Sequence, residues 1–366
     1  TWFWFNWWTH RPAGFADIAD QVRYLHDELG ITGFGITTHD LRPGLWDCSP
    51  SGLGPSPHLG GEEGLRHLGK TVRDLGGHLF VWLPWNGMSP PSRDLQEDWC
   101  IRGVDGRAYR SFDLGSFDMY QGLNFNHPGV RAYYLDWIRR YITDYHVDGI
   151  FWDCGGSPIP PDFSPADRRP FQRFPSESMV GACDFMHEVM RTGRACSRDF
   201  FMWHECIGQD LPGHGYSSHT GNDAFLMDLV RHGPRRLVYR STSTYNLYGG
   251  MARVDPAEDG GLSAATGDDR YRTLAEDPMN RWLVAFVRDH GIRQAQGVQP
   301  GVAVCDDHLV VDPAAEPRAV TVPPWAGNPE QLTDVLTGAS IDPTAITDAG
   351  AHFTLPGRTA YRMQRT

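Results

Sequence analysis

One segment of the chain combines a reactive side chain with the setting that an active site needs. The apolar run Gly149–Trp152 ends on Asp153, and Cys154 and two glycines follow. The run is typical of a buried strand that stops on a carboxylate, a group that can act as a nucleophile or as a general acid or base. The alternative is that Asp153 caps the next turn or pairs with an arginine. The segment predicts a carboxylate site at a strand end.

Other apolar runs also end on polar or aromatic side chains. Such residues close or follow the runs at His10, His39, Asp40, Trp82, Trp85, His204 and Glu205. In a parallel barrel the carboxyl ends of all strands meet, so these side chains are expected to converge with Asp153. The chain has 13 tryptophans, and tryptophan suits the stacking of sugar rings as well as core packing. The pattern indicates a carbohydrate site.

The elements that would position these residues alternate along the chain. Strands are predicted at Trp2–Trp8, Gly33–Thr38, His78–Pro84, Gly149–Asp153 and Phe200–Cys206, with a weaker one at Ala224–Val230. Helices are predicted at Phe15–Leu29, Glu62–Leu75, Pro128–Tyr145, Glu177–Cys196 and Pro278–His290. Gly30 stands where the first helix needs a C-cap. This alternation predicts βα units around a parallel sheet.

The predicted fold class is α/β, a (β/α)8 TIM barrel with a C-terminal antiparallel β-sandwich. The count of eight rests partly on the length of such a barrel, about 250 residues. After about Gly297 the apolar runs become short and are broken by Pro, Gly, Asn and Asp, which is typical of antiparallel sheets. We place the catalytic barrel at residues 1–297 and the sandwich at residues 298–366.

Composition excludes several classes of function. The 33 basic against 45 acidic side chains give a net charge of −12, which disfavours nucleic acid as a partner. The apolar runs are shorter than the roughly 20 residues of a membrane-spanning helix, so no membrane partner is expected. The seven cysteines form no C-x-x-C pair, and the histidines show no H-E-x-x-H spacing. No metal or other cofactor is predicted.

The N-terminal residues show no basic region ahead of an apolar stretch, so no signal peptide is visible. This slightly favours the cytoplasm but leaves the compartment open. The oligomeric state also stays open.

Three segments together resemble a known group of enzymes. His146–Gly156, Asn124–Pro128 and Gly76–Pro84 are similar to segments of the clan D glycoside hydrolases, the melibiase-type α-galactosidases and related α-glucosidases. Asp98–Arg102 with Asp105–Arg107 looks like the hairpin that follows the third strand in that clan. The resemblance implies a retaining hydrolase of α-linked sugars, in which Asp153 matches the nucleophile that forms a covalent glycosyl-enzyme.

The resemblance leaves two candidates for the general acid/base. In the clan this residue lies in a short loop after the nucleophile, and residues 219–223 stand at that distance with the last two in swapped order. If Asn222 fills the position, an amide cannot transfer the proton, and Asp223 is the nearest carboxylate. The rival is Glu205, in a stretch similar to the clan's Glu-x-Cys. Asp223 could instead be the N-cap of a helix that begins at Ala224, and Glu205 could be a buried carboxylate held by His204 or by an arginine.

The chain departs from the clan beside the nucleophile. Melibiase-type enzymes carry a lysine two residues earlier that binds sugar hydroxyls, and this chain has Phe151 there. That difference disfavours a galactosidase. The acidic residues that follow the nucleophile in the α-glucosidase type are replaced by Cys154–Gly156.

The prediction is a retaining α-glycosidase whose partner is an oligosaccharide or glycoside substrate. The residues expected to bind sugar are His10, His39, Asp40, Trp46, Trp82, Trp85, Trp152, His204, His219 and Asn222. The same residues would serve a transglycosidase, and a barrel that has lost its acid would be a carbohydrate-binding protein. Both alternatives stay open.

Overall fold

The structure is a computed structural model. It describes residues 2–3, 14–37, 52–84, 87–88, 94–111, 120–153, 159–204, 272, 275–276, 278–290, 295–299, 302–311, 317–356 and 359–364. None of the helices in these ranges is both long and apolar enough to cross a membrane.

The N-terminal part alternates strands and helices. Its elements are β1 (Trp2–Phe3), α1 (Phe15–Leu29), β2 (Gly33–Thr37), α2 (Gly61–Asp74), β3 (His78–Pro84), β4 (Gly87–Met88), β5 (Arg110–Ser111), β6 (Tyr120–Gly122), α3 (Pro128–Tyr145), β7 (Gly149–Asp153), α4 (Glu177–Cys196), β8 (Phe201–His204) and α5 (Pro278–His290). The strands β1, β2, β3, β7 and β8 lie side by side in that order, and every pairing is parallel. These are five strands of a (β/α)8 barrel.

The helices form where the sequence predicts them, because each has an apolar face and a defined end. In α1 the apolar side chains at helical spacing are buried, and Gly30 ends the helix at a φ of 69° that favours glycine. Pro128 begins α3, and the preceding His127 caps it by accepting a hydrogen bond from the Gly129 amide at 3.0 Å. The predicted strand at Ala224–Val230 lies outside the described residues.

The C-terminal part is a sandwich of two antiparallel sheets. Its strands are β9 (Ala295–Gln299), β10 (Val302–Cys305), β11 (His308–Val311), β12 (Arg318–Val322), β13 (Gln331–Asp334), β14 (Ser340–Ile341), β15 (Ala345–Thr347), β16 (Gly350–Leu355) and β17 (Thr359–Gln364). One sheet has the order β14-β13-β17-β11-β10-β9 and the other β12-β16-β15. Alternate apolar residues of both sheets, among them Val320, Leu332 and Phe353, form one core.

The helix α5 touches both parts of the molecule. Arg281 donates to the Glu28 carboxylate of α1 at 2.8 Å. The rings of Trp282 and Phe286 lie 5.5 and 4.9 Å from the ring of His308 in β11. The C-terminal sheet begins with β9 at Ala295, ahead of residue 298, where the sequence analysis puts the boundary. The division into a catalytic and a sandwich domain stays a prediction.

Candidate functional site

The carboxyl ends of four strands meet at one end of the described barrel. The register pairs Thr37 of β2 with Trp82 of β3, and Pro84 of β3 with Asp153 of β7. It also pairs Trp152 with His204 of β8. Asp153 is the last residue of its strand and lies between β3 and β8. The carboxylate that the sequence singles out thus stands where a parallel barrel places its active site.

The two faces of β7 differ in what covers them. The Trp152 ring is 0% exposed, stacks on Tyr134 of α3 at 6.1 Å and meets the edge of Phe185 of α4 at 6.0 Å. Trp152 therefore faces the helix layer. Because successive residues of a strand alternate between faces, positions 151 and 153 belong to the other face, the barrel interior.

This packing corrects the expectation for Trp152. The sequence analysis places its ring among the sugar-stacking residues, but the ring is enclosed by α3 and α4 in the hydrophobic core. Its position does not support contact with a substrate.

Trp82 lies on the interior face of β3, below the strand end. Leu79, Val81 and Leu83 pack with the helix-side core, and Trp82 alternates with them. Its ring is 0% exposed, so its position does not support sugar stacking either. The register puts Trp82 level with position 151, one layer under Asp153. Trp82 forms part of the floor beneath the candidate site.

The layer of side chains below Trp82, which contains Phe80, depends on a glycine in β7. Gly149 begins β7 opposite Phe80. A Cβ on Gly149 would lie 2.5 Å from the Phe80 ring and 2.3 Å from the Phe201 carbonyl oxygen. Only glycine leaves room for the Phe80 ring there. Packing therefore explains why a glycine follows Asp148 at the start of β7.

Most of the other predicted site residues lie outside the described residues. They are His10, His39, Asp40, Trp46, Trp85, Glu205, His219, Asn222 and Asp223. His204 is the last residue of β8. The chain places His204 one residue ahead of Glu205, the rival acid/base.

A small hairpin-rich segment follows β3, as the sequence predicts. We call residues 94–111 and 120–124 the insert. Within it β6 pairs with β5; β6 also pairs with β4, which directly follows β3, and a further bridge joins Arg102 to Ala108. Gly106 makes the tight turn between them, with a φ of 75°. The expectation of a hairpin at 98–107 is confirmed.

The insert is joined to residues 159–176, which we call the β7 loop, through Asp162. The Asp162 carboxylate is buried, with 2% of the residue exposed. Its Oδ1 accepts hydrogen bonds from the Arg102 amide at 3.1 Å and from the Ser164 amide and hydroxyl at 2.9 and 2.7 Å. Its Oδ2 accepts from Asn124 Nδ2 at 2.7 Å. The sequence gives no sign of this residue, because the partners that join it to the insert, Arg102 and Asn124, are far away along the chain.

A second junction joins the insert to the segment after β2. The Tyr133 hydroxyl of α3 donates to Asp94 Oδ2 at 2.8 Å and accepts from the Leu53 amide at 3.0 Å. The Tyr141 hydroxyl donates to the Leu53 carbonyl oxygen. Burial raises the pKa of Tyr133, so the phenol stays protonated and remains a donor. The segments that follow β2, β3 and β7 are thus held together.

His127 lies where the insert, α3 and the β7 loop meet. Its Nδ1 caps α3, its Nε2 lies 3.5 Å from Asp98 Oδ2, and its ring meets the Phe171 ring at 4.8 Å. Burial lowers the pKa of His127, although Asp98 acts in the opposite direction. The neutral imidazole is therefore favoured near pH 7, which leaves Nδ1 free to accept the capping hydrogen bond.

Within the described ranges, no group of three or more His, Cys, Asp or Glu side chains could hold a metal ion.

No family model matches the chain. Two curated plant proteins match parts of it. Isoamylase 3 of Oryza sativa subsp. japonica, a chloroplastic protein, is 23% identical over 176 residues, 44% of this chain and 22% of that protein. Isoamylase 1 of Arabidopsis thaliana, also chloroplastic, is 42% identical over 60 residues, 15% of this chain and 8% of that protein. The matches span less than a quarter of either relative.

Solved structures match over almost the whole chain. An α-amylase of Geobacillus thermoleovorans complexed with acarbose has a TM-score of 0.60 at 12% identity and covers 96% of this chain and 92% of its own. A maltogenic α-amylase of Thermotoga neapolitana has a TM-score of 0.63 at 11% identity, with 99% of both chains covered. The chain has their fold.

An α-galactosidase of the GH36 family, from Geobacillus stearothermophilus, matches equally well in shape. Its TM-score is 0.60 at 13% identity, and the match covers 100% of this chain and 56% of that one. The predicted barrel with a C-terminal antiparallel sheet domain is confirmed. Because amylases and a galactosidase share it, the fold does not single out the melibiase type.

Proposed function

We propose that this protein is a retaining glycoside hydrolase that cleaves an α-linked sugar through a covalent intermediate on Asp153. The observation that carries the proposal is the place of Asp153, which ends a parallel strand on the interior face of a barrel shared with α-amylases and an α-galactosidase. A carboxylate at that position can attack the anomeric carbon and stabilise the oxocarbenium-like transition state.

For the general acid/base we choose Glu205, because it directly follows His204, the last residue of β8, the strand that pairs with β7. A retaining pair needs its two carboxyl groups about 5–5.5 Å apart. Asp223 remains the alternative.

An α-glucoside is a better candidate substrate than an α-galactoside. The curated relatives are isoamylases, and two of the structural neighbours are α-amylases. Phe151 also stands where the melibiase-type enzymes have their hydroxyl-binding lysine. An apolar side chain cannot replace the ammonium group as a hydrogen-bond donor.

The test is stereochemical. Proton NMR of an aryl α-glucoside and an aryl α-galactoside during early hydrolysis would identify the first anomer formed, before mutarotation. We expect faster turnover of the glucoside and an α product, because each half of a double displacement inverts the anomeric centre. A β product would exclude the double displacement. The absence of turnover on all α-glycosides, with binding retained, would favour a carbohydrate-binding protein.

A further inference from the structure

We propose that Asp162 is a positioning residue that holds the insert and the β7 loop at the geometry the reaction on Asp153 needs. The inference rests on the proposed function. Asp162 belongs to the same strand-to-helix connection that begins at Asp153, and the insert belongs to the connection that begins at Pro84, the residue paired with Asp153. The two connections that flank the candidate nucleophile are therefore joined at one side chain.

The joint is specific in its geometry. The Arg102 amide donates to Asp162, and the Phe163 amide donates back to the Arg102 carbonyl oxygen at 2.9 Å. This reciprocal pair fixes the register of the β7 loop on the insert. Asn124, the last residue of the insert, adds a second contact between the insert and Asp162 by donating to Oδ2. A shift of either connection would break hydrogen bonds on both.

The buried charge also needs a reason. Among the described residues, the hydrogen-bond donors that reach Asp162 are two backbone amides, a hydroxyl and a carboxamide, all of them neutral. Burying a carboxylate is costly unless its oxygens accept hydrogen bonds. The carboxylate of Asp162 accepts several short, charge-assisted hydrogen bonds at once, which a neutral side chain of the same size cannot do.

The surrounding fold does not depend on this joint. The helices α3 and α4 pack through Tyr134 and Phe185, whose rings meet edge to face at 6.0 Å. Arg131 adds hydrogen bonds to Glu188 at 3.0 Å and to the Gly181 carbonyl oxygen at 3.1 Å. Loss of the joint should therefore leave the barrel folded and move the connections beside Asp153. A misplacement of about 1 Å can cost about 100-fold in rate.

The first variant is Asp162→Asn. It keeps the size and one oxygen for the Arg102 amide, but its NH2 group meets Asn124 Nδ2, so donor faces donor. We expect kcat to fall about 10–100-fold, at a temperature where circular dichroism gives a native spectrum. The matched control is Asp167→Asn, which removes an exposed carboxylate from the same loop and should leave kcat unchanged.

The decisive variant exchanges the two partners, Asn124→Asp with Asp162→Asn. In the double variant the amide at 162 can donate to the carboxylate at 124. In the wild type the Gln172 carboxamide accepts from Asn124 Nδ2 at 2.7 Å, and in the double variant it can turn so that its NH2 group donates. We expect kcat to return to within about 3-fold of wild type. Asn124→Asp alone, which places two carboxylates together, should be at least as impaired as Asp162→Asn. If Asp162→Asn does not fold, Ser164→Ala removes one bond and should lower kcat by a few fold.

A second readout is independent of turnover. Amide hydrogen exchange should become faster in both 99–109 and 159–176 in Asp162→Asn. It should return to the wild-type rate in the double variant Asn124→Asp with Asp162→Asn. Wild-type kcat in folded Asp162→Asn, or faster exchange in 159–176 alone, would overturn the inference. A folded double variant that recovers neither kcat nor protection from amide hydrogen exchange would also overturn it. If the wild type cleaves no glycoside, the proposed function fails, and the exchange data still decide whether Asp162 joins the two segments.

Discussion

The two ends of the barrel carry similar side chains in different settings. At the amino end, Asp148 precedes β7 and its Oδ2 accepts from the Leu79 amide of β3 at 2.9 Å, with its Oδ1 3.5 Å from His78 Nδ1. At the carboxyl end of the same strand, Asp153 is paired in the register with Pro84, the last residue of β3. The carboxylate at the amino end is used by the neighbouring strand, and the proposed function assigns the one at the carboxyl end to the substrate.

The same contrast applies to the segments around each end. The amino end is closed by direct contacts between neighbouring strands and helix ends, such as Arg73 Nη1 to His146 Nδ1 at 3.1 Å and the Asp148 amide to the Leu79 carbonyl oxygen at 2.8 Å. The carboxyl end is surrounded by long connections that are tied together at Asp162 and Tyr133. The comparison leads us to expect that polar residues at the amino end stabilise the fold, and under the proposed function those at the carboxyl end serve the chemistry.

The largest expected effect is the loss of Asp153. Asp153→Ala should lower kcat/KM by several orders of magnitude without lowering Tm, because the covalent intermediate cannot form. Added azide should restore turnover and give a glycosyl azide of inverted configuration. Steady-state kinetics and product NMR are the measurements. Asp136→Asn, an exposed carboxylate on α3, is the control. Near-normal rates in Asp153→Ala would contradict the proposal that the carboxyl end of the barrel supplies the nucleophile.

The next effect concerns the proton donor. Glu205→Gln should lower the rate about 100-fold or more on substrates with poor leaving groups, and far less on aryl glycosides whose leaving group needs no proton. Asp223→Asn serves as the paired variant and should lack this dependence. The measurement is kcat/KM across leaving groups of graded pKa. The opposite result would pass the role to Asp223.

How far the sequence predicts this molecule depends on the range of the interactions. The helices α1, α3 and α4 begin and end at the predicted residues, since periodicity, Pro128 and Gly30 are local signals. The joint at Asp162 could not be predicted, because nothing local in a loop sequence indicates that a carboxylate will meet Asn124 and Arg102.

The face of a short strand is equally hard to predict. In the run Gly149–Asp153 every residue but the last is apolar or glycine, so both faces of β7 read as buried. Only the packing of α3 and α4 on Trp152 reveals which face is which. The sequence could therefore identify the strand end but not the stacking residues.

A smaller effect is expected at the amino end, on stability instead of rate. Asp148→Ala removes the acceptor of the Leu79 amide, and a lost hydrogen bond of this kind costs about 1 kcal/mol. Chemical denaturation should give a lower midpoint with an unchanged slope, and kcat should be unchanged. Asp144→Ala, on the exposed face of α3, is the comparison variant. A large loss of kcat in folded Asp148→Ala would break the contrast between the two ends.

The smallest expected effect is a pH dependence of stability at His78. The hydrogen bond with Asp148 raises the pKa of His78 above its ordinary value, although burial acts in the opposite direction. A pKa that is higher in the folded state contributes stability below the unfolded-state pKa, and this contribution is lost as the pH rises through the folded-state pKa. The imidazole is nearly half exposed, so solvent screening keeps the effect small.

The measurement is the difference in free energy of unfolding between wild type and His78→Gln at pH 5.5 and at pH 8.5. The wild type alone would mislead, because burial, assisted by the charge of Arg73, lowers the pKa of His146, and burial lowers that of His127. The contribution of these two histidines to stability decreases as the pH falls, whereas that of His78 decreases as the pH rises. Both are present in the variant and cancel in the difference. The wild-type advantage should therefore be larger at pH 5.5, and an advantage that grows toward pH 8.5 would exclude a charged pair at the amino end.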